Sequence, residues 1–259
     1  MGVDFMKKDL IINCSLVKMK IKILGTRGEI KASAPYHIKH SGLLVDNKIL
    51  FDLGEKDFLK YKPKYIFITH LHPDHAFFVR KGEEFKTEIY APEKYKDLKI
   101  KVLSGKTIVA VNSFSIMAIP TIHSKRVKSC AYLIKKGKQK ILYTGDMIWI
   151  NKKYHKFLKD LDLVITEGSF IRNGGMIRRE KKTAEIYGHN GIPDLIKLFK
   201  KFTKNILFVH FGSWFYKDIK EARKKLQKLG EESGLKVYIG HDGKRLSARK
   251  LRDNILFIL

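Results

Sequence analysis

The stretch Thr69-His70-Leu71-His72-Pro73-Asp74-His75 decides how the rest of the chain is read. It follows Tyr65-Ile66-Phe67-Ile68, a β-branched and aromatic run that reads as a buried strand. Side chains two apart on an extended chain point the same way, so His70 and His72 can grip one ion together. Pro73 ends the extended run and turns the chain. Asp74 and His75 leave that turn on a different bearing, which suits them to a second ion beside the first. Imidazole and carboxylate are ligands for zinc, manganese or iron.

Further residues of the same chemistry follow in order. His123 closes Ile-Pro-Thr-Ile-His, Asp146 closes Leu-Tyr-Thr-Gly-Asp, and His210 sits in Leu-Phe-Val-His-Phe-Gly, each after an apolar run. Together with the opening stretch, this series resembles the metallo-β-lactamase superfamily from about Ile21 to the Asp242-Gly243 turn. The resemblance implies an α/β fold, a four-layer αββα sandwich with the metals at one edge of its two central sheets.

Position by position, the resemblance puts His70, His72 and His123 on one metal and Asp74, His75 and His210 on the other. Asp146 would bridge them, since its two oxygens can each face a different ion. Two Zn2+ ions are implied, with Mn2+ as the alternative, and a hydroxide shared between them as nucleophile. Asp74 would also orient or deprotonate that water. His241, in Gly-His-Asp-Gly, competes with His210 for the second metal. The order helix, strand, His210, helix, last strand favours His210 and leaves His241 as a turn residue near the surface.

Two more residues resemble the phosphodiesterase branches of the superfamily. His189, in Gly-His-Asn-Gly, matches a histidine that stabilises or protonates the leaving oxygen; the alternative for a lone His before a helix is a capping residue. Glu167, in Glu-Gly-Ser-Phe, resembles the Glu-Ala-Thr segment of ribonuclease Z and would orient His189. Only 22 residues separate His123 from Asp146, and a hairpin consumes most of them. The long tRNA-gripping arm of ribonuclease Z has no room there. The layout also resembles the phosphoribosyl cyclic phosphodiesterases, without the four structural cysteines that some of them carry.

Charge bears on the substrate. The 53 Lys plus Arg against 26 Asp plus Glu give a formal +27, a field that attracts polyanions. Nucleic acid and phosphodiester substrates are the expected partners; a merely solvated Lys-rich surface is the alternative. Residues 171–190 hold Arg172, Arg178, Arg179, Lys181 and Lys182 around Gly174-Gly175 and read as a basic, mobile loop. Arg178, Arg179, Lys181 and Lys182 are the expected substrate-binding residues. Cys14 and Cys130 make no disulfide framework, which fits a cytoplasmic location. No apolar run approaches a membrane span, and a homodimer is compatible with everything above.

Residues 1–18 read as an N-terminal extension, an added strand or a poorly ordered lead-in, before a metallo-hydrolase domain over 19–259. Lys20 to Leu24 alternates as a half-buried strand. Ser41–Gly54 reads as a hairpin turning at Asp46-Asn47, and Ser129–Asp146 repeats that plan. Both second strands finish in an apolar run, then Asp and Gly near the tip, a weak internal duplication. Asp52 is the first-half counterpart of Asp146 and reads as a residue supporting a ligand or loop. Ala91-Pro92-Glu93-Lys94-Tyr95 reads as a helix start. Leu163–Thr166, Asn205–Val209 and Val237–Ile239 read as strands, with amphipathic helices over 192–202 and 219–229.

The expected function is therefore a dinuclear metal-dependent phosphodiesterase, a nuclease acting on RNA or DNA. The alternatives are a small-molecule cyclic phosphodiesterase, or a lactamase- or lactone-type hydrolase that needs neither His189 nor a basic surface.

Overall fold

The structure, a computed structural model, describes residues 19–80, 82–83, 85–251 and 254–257. The expected extension over residues 1–18 lies outside the described residues. The first six strands are β1 (Lys20–Gly25), β2 (Gly42–Val45), β3 (Ile49–Phe51), β4 (Tyr65–Phe67), β5 (Glu88–Ala91) and β6 (Ile100–Val102). They lie side by side in chain order, antiparallel from β1 to β3 and parallel from β3 to β6.

The chain then builds a second sheet. Its strands are β7 (Ile108–Val111), β8 (Phe114–Ile122), β9 (Ser129–Lys136), β10 (Gln139–Tyr143), β11 (Trp149–Ile150) and β12 (Leu163–Gly168). A separate hairpin follows, β13 (Met176–Arg179) with β14 (Ile186–His189), before β15 (Asn205–Phe211) and β16 (Lys236–Ile239) rejoin the second sheet. Its central order, β8-β9-β10-β12-β15-β16, is again antiparallel for the first three and parallel thereafter. The duplication is thus realised strand for strand. Finally β17 (Arg245–Leu251) and β18 (Asn254–Phe257) return to the first sheet beside β1.

One face of each sheet packs on the other. Ile23, Val45, Phe51 and Phe67 of the first sheet meet Ile116, Tyr132, Ile141, Ile165 and Leu207 of the second in a single buried cluster. The central parallel strands β3, β12 and β15 are buried on both faces and read as largely apolar runs, whereas the edge strands β6 and β16 are partly exposed. Outside the second sheet lie α1 (Ile192–Phe199) and α3 (Ile219–Ser233), with the short α2 (Ser213–Lys217) before the latter. Leu195, Ile196 and Phe199 of α1 and Ala222 and Leu226 of α3 face the sheet. The apolar residues of each helix recur three or four positions apart, which is why both helices were legible. Asp218 caps α3 by accepting the Glu221 N–H, and Gly234 ends it in the left-handed conformation.

Outside the first sheet the covering layer is thinner. Two 3-10 helices, Lys56–Tyr61 and Phe77–Val79, press Phe58 and Phe78 onto Leu44, Ile66 and Ile89. This completes the four layers, with 3-10 turns in place of α-helices on that side. Pro63 stops the first of them one residue after its left-handed cap at Lys62. The helix expected from Ala91 does not form: Ala91 ends β5, and a bend and a turn carry the chain to β6. Residues 171–190, expected as a mobile loop, are instead largely the β13–β14 hairpin.

Candidate metal centre

The site collects where the parallel strands of both sheets end, the edge at which such sheets present their loops. Thr69 to His75 follow β4, Asp146 follows β10, and Glu167 and His210 are the last residues but one of β12 and β15. Two groups of side chains approach closely enough to share an ion. One is His70, His72 and His123; the other is Asp74, His75, Asp146 and His210. A third grouping, His123, Asp146 and His189, overlaps the first two. The expected seven thus come together, whereas His241 does not join them. It stands at the rim with its ring against Tyr36, as a turn residue.

The orientation of each ring follows from what holds its far nitrogen. His75 donates from Nδ1 to Asp52 at 2.7 Å and turns Nε2 toward Asp146 Oδ1 at 3.2 Å. His123 donates from Nδ1 to the Gly188 carbonyl at 2.8 Å, leaving Nε2 at 3.2 Å from His72 Nδ1. His210 Nδ1 lies 2.8 Å from Ser41 Oγ, and its Nε2 faces Asp74 at 3.6 Å and Asp146 at 3.4 Å. Partners of this kind fix the tautomer and present the other nitrogen as a ligand.

Asp146 sits between the groups. Its Oδ1 is the oxygen near His75 and His210, while Oδ2 lies 3.8 Å from both His70 and His123. Gly145 just before it has φ +59, and a Cβ there would come within 2.5 Å of Thr69 Oγ1. Only glycine lets the two loops close on each other.

A metal fits this donor set. His70 Nε2 and Asp146 Oδ1 are buried without any hydrogen-bond partner among the described residues, although charged or basic groups stand within 4 Å. Orphaned polar atoms in a buried site are costly, and a shared cation removes the cost. Protonation points the same way. Burial, reinforced by neighbouring histidines, holds His70 well below the usual imidazole range and His72 at about 4. Burial also lowers His123. The three rings of the first group are therefore neutral, with lone pairs available. Burial opposes a charge on His75, but Asp146, Asp52 and Asp74 outweigh it and push its pKa well up. Asp146 is held well below the carboxylate range despite its burial, because His210 and His75 face it.

His210 reaches the site through an irregularity. β12 and β15 pair in register up to Glu167 and Val209, then Gly168 pairs with Phe211 and His210 is skipped. His210 takes φ +53 there, a bulge that re-aims one side chain next to a site.

His189 and Glu167 meet as expected. Nδ1 of His189 donates to Glu167 Oε2 at 2.7 Å, and Glu167 Oε1 accepts the Met147 N–H at 2.6 Å, one residue past Asp146. Burial works against a charge on His189, but Glu167 and then Asp146 raise its pKa to about 9. His189 does not cap α1, whose N-cap is Gly191. Arg178, Arg179, Lys181 and Lys182 are exposed and are not brought to the cluster. His189 pairs with Met176 at the near end of the hairpin. At about 3.4 Å per residue, its turn lies roughly 10 Å or more away.

Several contributors were not foreseen. Ser41, Thr69 and Tyr143 complete the hydrogen bonds around Asp52, His75 and His210. Gly28 passes so close that a Cβ would lie 3.1 Å from His210 Nε2. The Gly25-Thr26-Arg27-Gly28 turn signal was visible, but nothing local says which residue it would lie against.

The sequence over residues 59–211 matches the family described as the beta-lactamase superfamily domain, more than half of the 259 residues. The chain belongs to this superfamily. No curated protein sequence matches it. Among solved structures, the metallo-beta-lactamase fold protein YhfI from Bacillus subtilis is similar, with TM-score 0.66 and 20% identity over 89% of this chain and 100% of that one. A diphosphatase from the PhnP family gives TM-score 0.65 and 15% identity, over 89% and 97%. The short form of human tRNase Z gives 0.58 and 18%, over 88% and 98%. These likenesses establish the metallo-beta-lactamase fold. The family match, with the histidine and aspartate clusters, makes the chain a metal-binding member of a hydrolase superfamily. No helix among the described residues is long and apolar enough to cross a membrane.

Proposed function

We propose that this metallo-beta-lactamase superfamily member is a dinuclear phosphodiesterase acting on nucleic acid. In this reading His70, His72 and His123 hold one divalent ion, Asp74, His75 and His210 the other, and Asp146 both; zinc is the favoured ion and manganese the alternative. The pair, when bound, would polarise the phosphoryl oxygens and supply an activated water. Asp74, buried beside His75 and His210, would orient that water and accept its proton.

The observation that carries the reading is the His189–Glu167 pair at 2.7 Å. Glu167 keeps a proton on His189 beside Asp146 and His123. A phosphodiester leaving group needs such a donor as it departs; carbonyl hydrolysis of a lactam or lactone does not need it there. The formal charge of +27 and the exposed Arg178, Arg179, Lys181 and Lys182 suit a polyanionic substrate. Fold neighbours that include a tRNase Z and a diphosphatase support the class. The second reading is a small phosphodiester, favoured because the β9–β10 hairpin takes up the segment between His123 and Asp146 and leaves no RNA-gripping arm.

The test is hydrolysis of bis-p-nitrophenyl phosphate and of a single-stranded oligonucleotide by protein supplied with zinc or manganese. Both should be cleaved, and chelator should abolish both. Cleavage of a lactone or β-lactam without any phosphodiester turnover would overturn the proposal.

A further inference from the structure

Beside the metal centre runs an open groove of about 1000 Å³, large for the scissile phosphate alone. One wall is the β8–β9 connection, Ser124 to Lys128; the other is the tip of the β13–β14 hairpin. Both walls are anchored to a residue of the centre. His123 accepts the Gly188 N–H at 2.6 Å on its carbonyl and returns a bond from its ring. Lys125 closes the far end by pairing with Glu180 of the hairpin. The groove is thus joined to the centre through His123.

The lining has two characters. Its floor is aliphatic: Val102 and Ile122 are 45% and 38% exposed, beside Pro120. Its rim is cationic. Arg126 and Lys128 are exposed and have no carboxylate partner among the described residues. Two carboxylates also line the groove, Glu93 accepting the Lys128 N–H and Glu185 accepting the Thr183 hydroxyl, and neither forms an ion pair with Arg126 or Lys128. Water-exposed aliphatic surface beneath cations free of direct ion pairs matches a flat, largely apolar group carrying a phosphate.

We infer that this groove binds the nucleotide adjoining the scissile phosphate of a single-stranded nucleic acid, its base on Val102, Pro120 and Ile122 and its flanking phosphate facing Arg126 and Lys128. The inference rests on the phosphodiesterase reading and adds strandedness to it, because a base must be free of its partner to lie on such a floor. It also assigns the substrate's path to the β8–β9 connection, where the hairpin cluster Arg178 to Lys182 is the more conspicuous candidate.

The experiment is fluorescence anisotropy with a phosphorothioate single-stranded oligonucleotide, comparing the intact protein with the Arg126→Ala/Lys128→Ala variant across a salt series. The variant should bind at least tenfold more weakly, and the slope of log K against log salt should flatten by about 0.7 for the one lost phosphate contact. Binding to a blunt duplex should change less than threefold. Equal Kd and slope for the two proteins, or an equal loss on duplex, would overturn the groove assignment. Turnover of bis-p-nitrophenyl phosphate, which has no flanking nucleotide, should be the same in both proteins. Its absence from the intact protein would refute the phosphodiesterase reading, while the binding data would still decide the groove.

Discussion

Asp52 Oδ2 accepts a hydrogen bond from Nδ1 of His75 at 2.7 Å, with both groups fully buried. Asp52 stands one residue past β3 and Asp146 three residues past β10, so each follows the corresponding strand of the duplicated plan at its own step. One half of the molecule turned its carboxylate into the cluster, and the other kept its carboxylate behind it. Asp52 holds φ +58, strained for a residue with a side chain. Its oxygens are saturated by the Thr69 N–H, the Thr69 hydroxyl, His75 and Tyr143.

That saturation sets a graded expectation for stability. Tyr143→Phe removes one donor and should cost about 1–2 kcal/mol. Asp52→Ala strands several buried donors at once and should cost about 3–5 kcal/mol. Urea unfolding of the two variants against the parent checks the order; equal costs would mean that the network is not centred on Asp52.

Asp146 supplies an oxygen to each group of ligands, so its loss should be felt at both. Metal analysis of protein purified without chelator should give nearer two than zero equivalents of zinc or manganese. Asp146→Ala should lose metal from both positions, and full retention of two ions would remove the shared role.

His37 gives the fold a dependence on pH away from the cluster. The Thr26 hydroxyl donates to Asp242 at 2.9 Å, so it accepts from His37 Nδ1 at 2.8 Å and leaves Nε2 facing Arg223. Burial first, then the charges of Arg223 and His241, depress the His37 pKa to about 4. The unfolded chain therefore takes up this proton before the folded one does. Stability from this group is present above the unfolded pKa of about 6.5 and is lost as pH falls toward the folded value. Between about pH 7 and pH 5 the loss should reach about 2 kcal/mol. His37→Asn keeps a donor for Thr26 without the titration. Its urea midpoint should fall less between those pH values than the parent's, and parallel falls would assign the dependence elsewhere.

What the sequence made legible follows from distance along the chain. His70 to His75 are contiguous, so strand alternation and one proline specify their directions. His123 and Asp146 close apolar runs and were found by the same signal, and Glu167 with His189 came from their resemblance to phosphodiesterase branches. The β12–β15 bulge that turns His210 inward was not legible, because it depends on the register between two strands about 40 residues apart. Arg178 to Lys182 looked like a loop because of their charge and glycines. The hairpin exists because Gly188 and its neighbours are stitched to His123 and Met147, contacts no local pattern encodes. Ala91-Pro92 carried a helix-start signal, but Leu103 N–H bonds back to the Ala91 carbonyl as β6 pairs beside β5, and tertiary pairing won.

In the proposed reaction His189, held by Glu167, donates a proton to a departing phosphodiester oxygen. The most direct measurement is kcat of His189→Ala against the parent on two substrates, bis-p-nitrophenyl phosphate and an oligonucleotide, with metal content determined on the same samples. The activated nitrophenolate needs little help in leaving, whereas a nucleoside alkoxide needs much. The account predicts unchanged metal content, a fall of about 10² to 10⁴ on the oligonucleotide, and a distinctly smaller fall on the nitrophenyl ester. Loss of metal in the variant would make His189 a ligand, and undiminished cleavage of both substrates would contradict the account outright.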